Sequence, residues 1–385
     1  MHVTLHITTR CNFRCDYCYS PPCAGQDMSR EVALKAIELA SRMSPSNTGV
    51  IFFGGEPLLR KDFIFDVIDA CSTKQRESGC QFHYKVTTNG SLLGESFIEQ
   101  ATRSRLSIAV SMDGVRESHD EHRKTCAGTA TFDTLLPHIP TLLRHQPYAC
   151  ALMVVTPQTV GHYASSFDYL LKLGFRYIIS SLNHAGCWER SHLRRLAREY
   201  RKIAASYERL TRTGHKFYFS PFEKKIASHI HGAEALCQQC HFGIRQVSVA
   251  PDGSIYPCVQ FVRDGRDGDY CLGNVWDGID PKRQKALFQA GRGAKSTCQG
   301  CALLGRCENN CSCLNWQTTG AIDRVPPILC EAERLLIPIA DQLASRLYTV
   351  RSPLFIQKHY NPIYPLLSFL EDHDPDLIRA KEVCR

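Results

Sequence analysis

The sequence predicts an α/β protein in which a parallel sheet of six strand–helix units precedes a smaller cysteine-rich region. Three observations carry this. Short apolar runs alternate with amphipathic stretches through the first two hundred residues. A polar motif follows each of the first four runs. The chain holds twenty cysteines among its 385 residues, and many crowd between 237 and 330.

Strands are predicted at 3–9, 50–53, 82–87, 106–111, 149–155 and 175–180. Helices are predicted at 29–43, 62–78, 94–102, 131–144, 163–173 and 190–213. Ser29 is placed as an N-cap, with Val32, Ala33, Ile37 and Ala40 recurring at helical spacing behind it. Loops leaving the C-terminal ends of parallel strands converge on one site. Those loops hold Cys11, Cys15 and Cys18; then Gly54-Gly55-Glu56-Pro57; then Asn89-Gly90; then Ser111-Met112-Asp113-Gly114. Three sulfur ligands in one tight loop suit an iron–sulfur cluster held by three corners. Structural zinc prefers four ligands, and His6 would have to leave its strand to be the fourth.

Composition narrows the function classes. No run approaches a membrane span and no charged-then-apolar leader precedes the first strand. The cysteines are therefore expected as metal ligands and reduced thiols in a cytoplasmic, low-oxygen setting. The net charge of +8 is densest over 190–212, where it reads as the wet face of a helix. No basic stretch carries the interleaved aromatics that stack on bases, so no nucleic-acid partner is expected. Cys71, Cys80 and Cys150 read as small buried hydrophobes. Cys126 and Cys187 fall in barrel-end loops and are kept as weak catalytic candidates. His119 and His122 read as structural.

Residues 237–330 follow a different logic. Cys237-Gln-Gln-Cys240 precedes a hairpin, 246–250 and 254–256, turning at Pro251-Asp252-Gly253. Then come Cys258, the run Cys298-x2-Cys301-x5-Cys307-x3-Cys311, and Cys330. Two four-thiolate sites fit that count, and the metals would supply much of the folding energy. Beyond, an amphipathic helix is predicted over 331–347, followed by a Pro- and aromatic-containing tail.

The three-cysteine spacing with Tyr17 before its last member resembles the signature of the radical S-adenosylmethionine (SAM) enzymes. Cys240, Gly253, Cys258, the four-cysteine run and Cys330 resemble the C-terminal extension called SPASM. The resemblance implies a partial (β/α)6 TIM-like barrel over 1–215, a bridging segment over 216–236, a SPASM domain over 237–330, and a helical tail over 331–385. It implies three 4Fe–4S clusters. One is held by Cys11, Cys15 and Cys18, with its open iron chelated by SAM. A second is held by Cys237, Cys240, Cys258 and Cys311, and a third by Cys298, Cys301, Cys307 and Cys330, with Cys271 and Cys313 as spare thiols. Tyr17, Gly54, Gly55, Glu56, Asn89, Ser111, Asp113 and Arg123 are implied SAM contacts. Gly54-Gly55-Glu56 would meet the amino group, with Glu56 suited to its positive charge. Arg123 would meet the carboxylate.

The implied activity is reductive cleavage of SAM to a 5′-deoxyadenosyl radical that removes hydrogen from a ribosomally made peptide. The implied partners are a precursor peptide and an electron donor such as flavodoxin or ferredoxin. Ten residues precede Cys11, so leader recognition is expected from a separate protein, from the tail, or not at all. A small-molecule dehydrogenase or epimerase is the second reading, and a non-enzymatic multi-zinc scaffold the third. Sulfatase maturation is disfavoured, because Val259 stands where maturing relatives carry an acidic residue.

Overall fold

The computed structural model describes residues 1–20, 25–232, 241–262 and 268–373. Six parallel strands run in chain order through the sheet: β1 (His2–Thr8), β2 (Asn47–Gly54), β3 (Gln81–Thr88), β4 (Leu106–Ser111), β5 (Cys150–Val155) and β6 (Tyr177–Leu182). Val3, Leu5 and Ile7 on one face and Thr4, His6 and Thr8 on the other are buried, as expected for a strand covered on both faces. β6 instead alternates exposed and buried residues along its length. The helix Arg30–Met43 starts where Ser29 Oγ accepts from the Val32 amide at 3.2 Å. The helix Lys61–Ser78 ends at Gly79, whose φ of 73° is the left-handed conformation glycine adopts without cost.

Several elements differ from expectation. The single helix expected over 131–144 is broken into Phe132–Leu135, a 3₁₀ turn Leu136–His138 and Ile139–His145. Pro137 and Pro140 lack the amide protons a continuous helix needs there. The bridging segment carries more structure than its sequence signal. β7 (Tyr218–Phe219) extends the parallel sheet beside β6, and the helix Ser220–His231 follows it.

The predicted hairpin forms β8 (Gln246–Val249) and β9 (Ser254–Tyr256), and β8 pairs in parallel with β1. Two short strands, β10 (Gly273–Asn274) and β11 (Gly278–Ile279), complete one sheet ordered β11-β10-β9-β8-β1-β2-β3-β4-β5-β6-β7. β1 is thus shared by the parallel sheet and the cysteine-rich region. Ion pairs tie that region to the helix Ser220–His231 and to the long helix Pro327–Thr349: Lys224–Glu308 at 2.7 Å and Arg306–Asp341 at 2.5 Å; Lys225–Glu333 at 2.7 Å joins the two helices to each other.

The helix Arg190–Arg212 buries Leu196, Tyr200, Ile203 and Tyr207 and leaves Arg194, Arg195, Arg198 and Arg201 exposed. Its charge is a solvated face. The tail forms helices Pro353–Tyr360 and Tyr364–His373. Asp372 docks the second against Tyr148 Oη at 2.6 Å and Arg176 at 2.9 Å. No described helix is long and apolar enough to cross a membrane.

Candidate active site

The cysteine loop leaves β1 at Thr8 and is held along two flanks by main-chain hydrogen bonds. On one flank, the Gly55 amide donates to Thr8 O and the Glu56 amide to Arg10 O, both at 2.8 Å. On the other, the Arg14 amide donates to Lys124 O at 2.7 Å and the Asp16 amide to His122 O at 3.3 Å, beside a Phe13–Thr125 bridge. The Gly54-Gly55 pair is explained by the first flank. A Cβ at Gly54 would lie 2.2 Å from Thr8 O, and one at Gly55 2.1 Å from Arg10 O. The close approach that two glycines predict is therefore made to the cysteine loop itself.

Glu56 is 0% exposed. Its Oε1 accepts from the Leu58 amide at 2.9 Å and Thr88 Oγ1 at 2.7 Å, and its Oε2 from the Asn89 amide at 2.7 Å. Burial pushes its carboxyl up, and these three donors oppose the shift. The carboxylate thereby joins the loops after β2 and β3, beside the backbone of 54–56. Asn89 continues the lattice: its Nδ2 donates to Asn12 Oδ1 at 2.9 Å, and Asn12 Nδ2 donates to Ser91 Oγ at 2.8 Å.

A second buried group backs the loop. Asp113, 1% exposed, accepts from Tyr17 Oη, from Arg123 Nε at 2.9 Å and from the Val154 amide at 2.9 Å. The Arg123 guanidinium also lies 5.4 Å from the centre of the Tyr17 ring. Burial works against the Arg123 charge, and Asp113 and Tyr17 more than reverse it. Tyr17, Asp113 and Arg123 thus come together, with Asp113 engaged on both oxygens. Ser111 ends β4 half-buried. Cys126 Sγ reaches Cys11 O at 3.7 Å, beside the loop, whereas Cys187 is exposed in the segment after β6.

Sequence reasoning gave no role to Asn12 or Asp16 and read His122 only as structural. His122 in fact bridges Asp16 Oδ1 and Thr156 Oγ1, each at 2.7 Å. Its partners lie far apart in sequence, so no local pattern reveals them. His119 is buried against Thr131 Oγ1 at 3.2 Å.

Cys11 and Cys18 are exposed, Cys15 is half-buried, and all three are free thiols. Burial pushes Cys11 up to about 12 and Cys15 up to about 11. Bound metal must therefore supply the charge that deprotonates them. The three sulfurs are not all within 4.8 Å of one another. Thiolates sharing one tetrahedral ion at ~2.3 Å would be separated by about 3.8 Å. His6 stays in β1, edge-on to Phe53 at 5.2 Å, and completes no set with them. Three spread soft donors fit a polynuclear iron–sulfur group better than a single zinc.

In the cysteine-rich region, Cys298 and Cys330 share a small apolar cluster with Val325 and Leu329. Cys301 and Cys307 lie within electrostatic reach of them. The four thiols expected to act together are therefore neighbours. Of the other expected set, Cys258 and Cys311 gather around Cys313, while Cys237 and Cys240 lie outside the described residues. Tyr19, raised well above the usual phenol range by burial, is within electrostatic reach of Cys258 and Cys18.

Residues 5–170 match the Radical SAM superfamily. The chain is similar to the cysteine-type anaerobic sulfatase-maturating enzyme of Clostridium perfringens, at 22% identity over 78% of this chain and 85% of that one. Its fold is similar to the solved structure described as native anSMEcpe with bound AdoMet, with a TM-score of 0.75 at 19% identity, over 90% of this chain and 99% of that one. It also resembles Streptococcus suis SuiB bound to precursor peptide SuiA, with a TM-score of 0.58 at 15% identity, over 86% of this chain and 75% of that one.

Proposed function

We propose that this chain, a radical SAM enzyme, abstracts hydrogen from a residue of a ribosomally made peptide and leaves it cross-linked, oxidised or epimerised. The observation that carries the reading is the open three-thiol loop, clamped between the loops after β2 and β4 at the C-terminal edge of the sheet. The likeness to SuiB with its precursor peptide supports a peptide rather than a small molecule.

Cys11, Cys15 and Cys18 would hold the SAM-binding 4Fe–4S cluster. Cys258 and Cys311, with Cys237 and Cys240, would hold one auxiliary cluster; Cys298, Cys301, Cys307 and Cys330 would hold another. When bound, cluster and SAM supply reductive cleavage of the sulfonium and hydrogen abstraction from an unactivated carbon. The protein's own part is positioning. The main chain at Gly54, Gly55 and Glu56 and the side chains of Asn89, Ser111 and Arg123 orient the SAM headgroup. Asp113 holds Arg123 in place, and Tyr17 caps Asp113. A flavodoxin or ferredoxin supplies the electron.

A second reading, oxidation of a cysteine or serine in a sulfatase, is favoured by the likeness to the Clostridium perfringens enzyme. Against it, Cys258 is followed by Val259, which opens a 3₁₀ turn, Val259–Phe261, with no carboxylate. The deciding assay is anaerobic incubation with SAM, reductant and either the peptide encoded beside this gene or a sulfatase-motif peptide, read by mass spectrometry. Loss of two hydrogens, or one deuterium gained in heavy water, on the neighbouring peptide alone is expected. Turnover of the sulfatase peptide alone would replace the first reading with the second. Replacing Cys11, Cys15 and Cys18 by Ala should abolish 5′-deoxyadenosine formation, and its persistence would defeat both readings.

A further inference from the structure

Cys258, Cys311 and Cys313 meet in the small core of the cysteine-rich region, beside Phe242, Tyr256 and Phe261. Cys311 caps the helix Ser312–Thr319 and Cys313 is the second residue of that helix, so the start of the helix sets their separation. The two sulfurs lie 3.6 Å apart, and Cys313, 6% exposed, is within electrostatic reach of Cys258. Yet the three sulfurs are not all within 4.8 Å of one another. Cys271, nearby, is engaged with Gly273 O at 3.3 Å.

These distances constrain what the trio can do. Thiolates on one tetrahedral ion sit about 3.8 Å apart at a metal–sulfur bond of ~2.3 Å. The trio as a whole is too open for one ion. In a cube, each iron takes one outer thiolate, and outer thiolates on different irons are farther apart than that edge. Cys311 and Cys313 are too close to serve two corners. Resting on the reading that this region binds an auxiliary cluster, we infer that Cys311 and Cys313 are alternative thiolates for a single corner, with Cys258 at another. Whichever sulfur binds releases its proton to solvent. The other remains a thiol and donates its hydrogen bond to the bound sulfur. The exchange leaves the charge of the site unchanged.

The test uses the full chain, purified and reconstituted anaerobically, as wild type, Cys311→Ala, Cys313→Ala and the double variant. Iron and sulfide per chain and the EPR spectrum of the reduced protein are measured. Each single variant is expected to keep the wild-type iron with a shifted auxiliary-cluster signal. The double variant is expected to lose about four irons, one cube. Loss of that iron in either single variant would make one thiol the sole ligand and overturn the inference. Full iron in the double variant would overturn it as well. If the double variant misfolds, Cys313 in the Cys311→Ala protein decides: it should resist iodoacetamide until iron is chelated, and immediate labelling would refute its ligation. Wild-type protein carrying only the iron of the N-terminal site would instead defeat the auxiliary-cluster reading, before any substitution is made.

Discussion

Replacing Asp113 with Ala removes the only carboxylate hydrogen-bonded to Arg123 among the described residues, and it does so where water cannot compensate. The two side chains are 1% and 8% exposed. The substitution also strips hydrogen bonds from Tyr17 Oη and the Val154 amide. A buried charge left without its partner costs about 3–5 kcal/mol. That is a large share of the roughly 5–15 kcal/mol that holds a typical domain folded. Replacing both partners with apolar side chains, as Asp113→Leu with Arg123→Met, removes the charge problem along with the pair, and such exchanges are often neutral. Urea unfolding of the anaerobic protein, followed by far-UV circular dichroism, should show a loss of about 3–5 kcal/mol for Asp113→Ala and recovery of most of it in the double replacement. A single-variant loss under about 1 kcal/mol, or a double variant no better than the single, would refute the claim that this pair braces the cysteine loop.

Two further outcomes follow from the same geometry. Gly55→Ala places a Cβ 2.1 Å from Arg10 O and should reduce the iron retained by the N-terminal site, whereas Gly161→Ala, with nothing within 4 Å and an ordinary φ, should leave iron unchanged and stabilise by about 0.4–1 kcal/mol; equal iron in both variants would contradict the docking of the two loops. Burial lowers His6 to about 3 and His119 to about 4, so their contributions are complete above about pH 6.5 and are lost as pH falls through their folded values. Glu56, raised by burial, acts in the opposite sense, so the readout is the difference between wild type and His119→Gln. The variant's urea midpoint should fall less than wild type's between pH 7.5 and 5, and identical slopes would show that His119 is not held neutral.

What could be read from the sequence was what is encoded locally. β4 is found where its apolar run is, at Leu106–Ser111, and the helices Arg30–Met43 and Arg190–Arg212 end within a residue of expectation, whereas Pro327–Thr349 begins four residues before its predicted start. β2 begins three residues earlier than its apolar run. Asn47, Thr48 and Gly49 carry no strand signal and are held by pairing with β3, joined by β1 from Gly49. β7 is two residues long and takes its structure from β6. The thiol loop was legible because its ligands lie within eight positions of one another. Its supports were not, since Asp16–His122 and Asn12–Asn89 each join residues more than seventy positions apart. For the same reason the acidic character of Glu56 is visible in the sequence, while its Thr88 and Asn89 donors are visible only in the fold.

The position of β1 explains why two thiol-rich regions can behave as one apparatus. Its residues pair with β2 on one edge and with β8 on the other, Val3 facing Val50 and Val247, Leu5 facing Phe52 and Val249. The strand then runs directly into the cysteine loop, while β8 leads through β9 to Cys258. A parallel ladder fixes register, because a one-residue slip would turn every buried side chain of β1 to the wrong face. The distance between the N-terminal thiols and the Cys258 group is therefore set by backbone pairing rather than by a flexible linker. Loosening β8 from β1 would disturb both groups of thiols together.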